Sequence, residues 1–240
     1  MIISRTPVRT SFLGGGTDFP SWSKDHGGLC IGAAINKYSY ITARYLPPFH
    51  DFRHRFVYKN TETVNEIEEI KHSAIRAVMN KFGWFNNIGI EVTHVSDLPG
   101  YSGTGSSSTF VVGLIKALSS LQGYLMLPHE LAQAAIDVEQ NILKETVGSQ
   151  DQVWASYGGL NILRFREDGE IDIHPFDISG EHSTELENHL MLFFTKQSRI
   201  SSEVAATYAP TISEKQKEQF AMMRLANDGI YAIYAKKWEN

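Results

Sequence analysis

LPGYSGTGSSS, residues 98–108, places glycines among hydroxyls where a strand gives way to a helix. Glycine admits positive φ and close backbone approach. Free amides at a helix start, or in a nest of successive N–H groups, attract anions. Gly100, Ser102, Gly103, Thr104, Gly105, Ser106, Ser107 and Ser108 therefore suit a polyphosphate. The same composition also suits a flexible connection capped by Ser106. Two other phosphate loops are excluded. The Gly-Lys-Ser/Thr of a Walker A loop is absent, and Gly103-Thr104-Gly105 has Ser108 where a GxGxxG loop needs its third glycine. Protein-kinase HRD and DFG motifs are absent too.

Two more stretches carry charge. In GSQDQ, residues 148–152, Asp151 falls where a helix begins, as a catalytic carboxylate or simply as an acid favoured by the helix dipole. Glu139 lies twelve residues earlier on the preceding helix and reads equally as a solvated acid or a ligand. In VRTSFLGGGTDFP, Arg9 precedes Gly14, Gly15 and Gly16, and Thr17-Asp18 follows them. Three glycines let a ligand or a second backbone approach without Cβ interference. Asp18 is then either an acceptor for ligand hydroxyls or the cap of a tight turn.

The elements that must hold these groups follow from periodicity. Ile2 and Ile3 open a strand that Pro7 limits to an edge or an end. Residues 29–46 are β-branched and aromatic and predict one or two strands; 53–60 and 88–95 predict two more. Apolar residues at three- and four-residue steps predict a helix over 66–82, stopped by Gly83. Further helices are expected at 106–121, from Pro128 to about Glu145, at 201–208 and from Ser213 to about Lys237. Asp168-Gly169 marks a hairpin, and HLMLFFT, 189–195, reads as a buried strand. Strands and helices do not alternate regularly, so the fold class is α+β. The polar stretch 179–188 is the best boundary, dividing the chain into 1–180 and 181–240.

The 240 residues carry a net charge of −5, so no broad basic field exists for nucleic acid or anionic lipid. Cys30 is the only cysteine, which excludes an internal disulfide or a cysteine-rich zinc site. With no long apolar run and no signal-peptide core, a soluble cytoplasmic protein is expected, with no membrane partner.

In this order, PVRTSFLGGGTDFP, LPGYSGTGSSS and VGSQDQ resemble the first motif, the second motif and the catalytic-acid segment of the GHMP small-molecule kinases. GGGTD, ILKETVGSQDQVWASYGGLN and LFFTKQSRISSEV look most like the sugar branch, in particular the D-glycero-D-manno-heptose 7-phosphate kinases. The resemblance implies an N-terminal ribosomal protein S5 domain 2-like α/β domain and an incomplete C-terminal α+β domain. It implies ATP and Mg²⁺ as cofactors and a small-molecule sugar phosphate as substrate. Gly103 to Ser108 would wrap the ATP phosphates; Ser107 and Glu139 would flank the metal. Asp151 would face the attacking hydroxyl, with Arg9 beside it. Asp18 and the Gly14–Thr17 backbone would hold the sugar.

The expected reaction is phosphorylation of the anomeric hydroxyl of heptose 7-phosphate, for nucleotide-activated heptose. The alternatives are a kinase for fucose or galactose, and a sugar- or nucleotide-binding homologue without turnover. The family's third, C-terminal Gly-rich motif is not found, so the chain is expected to be a fragment or a short natural product. A sheet edge left uncovered is expected to pair with a second chain or a homo-oligomeric partner.

Overall fold

The computed structural model describes residues 1–100, 102–193, 212 and 214–237. A seven-stranded sheet forms the frame: β1 (Ile2–Leu13), β2 (Gly28–Tyr45), β3 (His54–Val57), β4 (Thr61–Val64), β5 (Ile90–Ser96), β6 (Leu160–Phe165) and β7 (Ile171–Pro175). Its order is β4-β3-β5-β2-β6-β7, with β1 on β2. All pairs are antiparallel except β3 with β5. The helices are α1 (Pro20–His26), α2 (Ser73–Phe82), α3 (Ser106–Leu121), α4 (Pro128–Ile136), α5 (Gln150–Tyr157), α6 (Gly180–Asn188) and α7 (Gln216–Tyr234).

The long apolar run of residues 29–46 is one strand. Its two halves bond to different neighbours: Gly28–Ala33 to β6 and Ser39–Tyr45 to β5. Residues 28–32 are buried on both faces. Cys30 packs with Trp154 of α5 and Ala132 of α4, whereas Leu29 and Ile31 pack with Ala226 and Ile233 of α7. Ile41, Ala43, Ile90 and Val92 carry the main core beneath α2 and α3. α3 is apolar nearly all round because it runs through the centre of that core. Gly113 lets it close on β1, where Ser4 Oγ donates to the Gly113 carbonyl at 2.8 Å. This approach brings the start of α3 beside the middle of β1.

Pro7 does sit in a strand that pairs on one side only. The register slips between Pro7 and Arg9. Such a bulge re-aims the side chains around it.

Three expectations are corrected and one strand is added. α2 starts at Ser73, not 66; a 3₁₀ turn, Ile67–Glu69, precedes it. Glu62 accepts from the Lys71 and His72 amides at 2.6 and 3.1 Å and so breaks the run. β4, Thr61–Val64, was not anticipated, because TETV has little apolar content of its own and gains its order by pairing with β3. The helix from Pro128 widens into a π segment at Asp137–Ile142 and ends there, short of Glu145, with Lys144 just beyond it at φ 55°. Residues 189–193 of the expected strand are turn and irregular chain, with Leu190–Phe193 exposed; an apolar run needs a paired neighbour to become a strand. Residues 194–195 and the expected helix at 201–208 lie outside the described residues.

Candidate active site

Arg9 projects from β1 into the junction of the three motifs. Its Nε and Nη2 donate to the two oxygens of Asp151, both at 2.7 Å. Its Nη1 donates to the Gly103 carbonyl at 2.7 Å, and its backbone N–H to the Thr104 carbonyl at 3.1 Å. One arginine thus joins β1, the Gly/Ser loop and the start of α5. Bidentate pairing of a planar guanidinium with a carboxylate fixes orientation as well as distance. Burial alone would lower the Arg9 pKa, but Asp151 opposes it and carries the guanidinium above its ordinary value.

Asp151 lies in the first turn of α5, against Gly105: a Cβ on that glycine would stand 3.0 Å from Asp151 Oδ2. The carboxylate is therefore beside the start of α3, as expected. Gly105 precedes the first turn of α3 with φ 72°, and no side chain caps that turn. Arg9, Gly15, Gly16, Gly103, Thr104 and Asp151 share the wall of a cavity of about 500 Å³. Ser102 and Thr104 pair through their hydroxyls at 2.7 Å. Gly100 and Gly103 have open space where a Cβ would point.

The two residues of the expected metal pair stand in different surroundings. Ser106 is half-buried and Ser107 is exposed on the first turn of α3, whereas Ser108 points inward and donates to Glu139 Oε2 at 2.8 Å. Gln152 Nε2 donates to the same oxygen. Glu139 sits on the π segment, fully buried, and burial pushes its carboxyl up to about 8 despite those two donors. Its Oε1 is buried without a partner among the described residues. Among the described residues no group of three or more His, Cys, Asp or Glu is placed to hold a metal.

The triple glycine divides its work. Gly14 faces β2; a Cβ there would meet the Leu29 carbonyl oxygen at 1.8 Å. Thr17 Oγ1 donates to the Gly14 carbonyl at 2.8 Å and accepts from the Leu29 amide at 3.0 Å, so this side chain, expected at a ligand, braces the loop instead. Only Gly15 and Gly16 turn to the cavity.

Asp18 borders the cavity but is 1% exposed. Its Oδ1 accepts from Gly16 N and Gln150 Nε2, each at 3.0 Å, and its Oδ2 from Gln150 N at 3.2 Å. Burial first, then the neighbouring Asp151, pushes this carboxyl above its ordinary range. Gln150, Gln152 and Gly148 escaped the sequence reading. Their one signal was position, since they surround Asp151 in GSQDQ, and glutamine and glycine name no chemistry by themselves.

Residues 68–159 match the family model of the GHMP kinases N terminal domain. The D-glycero-alpha-D-manno-heptose 7-phosphate kinase of Campylobacter jejuni subsp. jejuni serotype O:2 is 28% identical over 239 residues, covering 95% of this chain and 69% of that protein. The L-fucokinase/L-fucose-1-P guanylyltransferase of Bacteroides fragilis is 26% identical over 195 residues, covering 68% of this chain and 20% of that one. Among solved structures, a D-glycero-D-manno-heptose 1-phosphate kinase from Bacteriodes thetaiotaomicron superposes with a TM-score of 0.83 at 24% identity, covering 97% of this chain and 73% of its own. Residues 68–159 thus match a GHMP kinase N-terminal domain, the ordered motifs meet around one cavity, and the chain is similar to the GHMP kinases, phosphotransferases that use an alcohol group as acceptor.

Proposed function

We propose that this chain is an ATP-dependent sugar kinase that phosphorylates the anomeric hydroxyl of D-glycero-D-manno-heptose 7-phosphate, in the cytoplasm. One observation carries the reading: Arg9 holds Asp151 at the cavity wall against Gly105, where the Gly/Ser loop enters α3. A carboxylate in that place can orient the acceptor hydroxyl and take its proton. The amides and hydroxyls of Gly103–Ser108 would receive the nucleotide phosphates. Arg9 would keep Asp151 turned to the acceptor. In this reading residues 1–180 form the nucleotide-binding domain and 181–240 begin a second one.

Magnesium fits the chemistry of Glu139, whose unpartnered buried Oε1 is an oxygen that a cation would satisfy. Glu139 with the Ser107 hydroxyl would hold it, and when bound it neutralises charge on the transferred phosphate. Ser108 and Gln152 would keep the Glu139 carboxylate in place.

A positioned carboxylate contributes about 10²–10⁴-fold through proton transfer. Asp151→Asn is expected to lose about that much kcat with little change in ATP affinity, measured by ADP release and by nucleotide titration. Near-normal turnover in this variant would remove Asp151 from the mechanism.

A second reading, phosphorylation of an uncharged hexose such as fucose or galactose, has one observation in its favour. Arg9 is the only cation among the described residues lining the cavity, and Asp151 already engages it. ADP release across a panel of sugars and sugar phosphates separates the cases. Turnover on a sugar phosphate supports the first reading and preference for a free hexose the second. ATP binding without ADP release makes the chain a binding homologue.

A further inference from the structure

The first turn of α5 carries Asp151, yet its own N-cap residue, Ser149, makes no capping bond. The Ser149 hydroxyl is instead engaged by Gln140 Nε2 at 3.0 Å. The acceptor for the Gln150 amide comes from 132 residues away: Asp18 Oδ2, at 3.2 Å. Asp18 Oδ1 adds a second bond to the same residue through Gln150 Nε2, and a third ties it to Gly16 N within its own loop. Gly148 leaves the room for this: a Cβ there would stand 1.8 Å from Asp18 Oδ2. A carboxylate at a helix N-terminus satisfies an orphan donor and meets the positive end of the dipole.

From this we infer that Asp18 is a positioning residue that caps α5 from the glycine loop and thereby sets where Asp151 stands, rather than a ligand for sugar hydroxyls. The inference rests on Asp151 being the residue that serves the acceptor. With three of its roughly four acceptor positions taken by Gly16 and Gln150 and the side chain buried, Asp18 is committed to the cap rather than to a ligand. Gly16 belongs to the same bonded unit and lines the cavity, so the wall that meets the acceptor and the helix that carries Asp151 are one piece. Arg9 fixes the Asp151 side chain separately, through β1. Removing the cap frees the backbone of α5 while leaving the guanidinium pair in place, and a small displacement of a reacting group can cost ~10²-fold in rate.

The test is Asp18→Asn, which keeps the shape but replaces one acceptor oxygen with a donor. The expected result is a kcat lower by about tenfold or more, with the KM for the acceptor within about threefold of wild type. In an Asp151→Asn background the same change is expected to cost less than about twofold, because a residue acting through Asp151 has nothing left to act on. Hydrogen exchange at the Gln150 and Asp151 amides should accelerate, while exchange in the middle of α3 should not. Gly148→Ala, which displaces the Asp18 carboxylate without removing it, must reproduce the kcat loss and serves if Asp18→Asn does not fold. An acceptor KM raised about tenfold at unchanged kcat would make Asp18 a substrate ligand and overturn the inference. So would an equal loss in both backgrounds, or unchanged exchange at Gln150. If the wild type turns over no sugar at all, the kinase reading falls, while the exchange measurement still decides whether Asp18 is the cap.

Discussion

Two glycine-rich loops border the cavity, and Gly14 in one is there for the opposite reason to Gly100 and Gly103 in the other. In Gly14–Asp18 the chain is pressed onto β2. Gly14 leaves no room for a methyl group, Thr17 bonds both sides of the contact, and Asp18 is buried under three donors. In residues 100–105, Gly100 and Gly103 meet nothing where a Cβ would be. Arg9 bonds to that loop through the carbonyls of Gly103 and Thr104. The first loop is a finished part of the frame. The second leaves its space open, as a segment that receives a ligand must. The same residue type thus records a close packing contact in one place and a vacancy in the other.

Alanine substitutions test that contrast directly. Gly14→Ala places Cβ 1.8 Å from the Leu29 carbonyl oxygen at a φ of 82°. Overpacking and left-handed strain together should cost on the order of 3 kcal/mol or more, read as a lower midpoint in urea unfolding or as failure to fold. A variant as stable as wild type would break the comparison. Gly103→Ala has φ 76° but free space, so only the strain remains, about 1 kcal/mol. Its main effect should instead be weaker nucleotide binding, by isothermal titration, as the methyl enters the region expected to hold phosphates. Gly100→Ala has neither positive φ nor a neighbour, and its unfolding free energy should stay within about 0.5 kcal/mol of wild type. A large loss there would show that the second loop is packed after all.

How much of this was legible beforehand depended on range. α3 was read to its end residues, because its serine start and apolar length are local signals. Asp168-Gly169 likewise announced the turn between β6 and β7. α2 was misplaced at its start because Glu62, four residues before Glu66, captures the Lys71 and His72 amides, and no propensity scale sees that bond. At the site, Arg9, Asp151 and the Gly/Ser loop were named together only through their resemblance to a family; composition left each with an ordinary structural alternative.

The order and types of the motifs, the amphipathic helices and the absence of a cysteine or basic cluster were properties of the chain alone, since each depends on neighbours within a few residues. The partners of each polar group were not. Arg9 meets Asp151 across 142 residues, Asp18 meets Gln150 across 132, and Ser108 rather than Ser107 turns to Glu139. Those choices were made when α3 closed on β1 and α5 docked over Cys30. A buried charge takes whichever donors the packed backbone brings to it, and one residue of helical rotation separates a serine facing solvent from a serine facing a carboxylate.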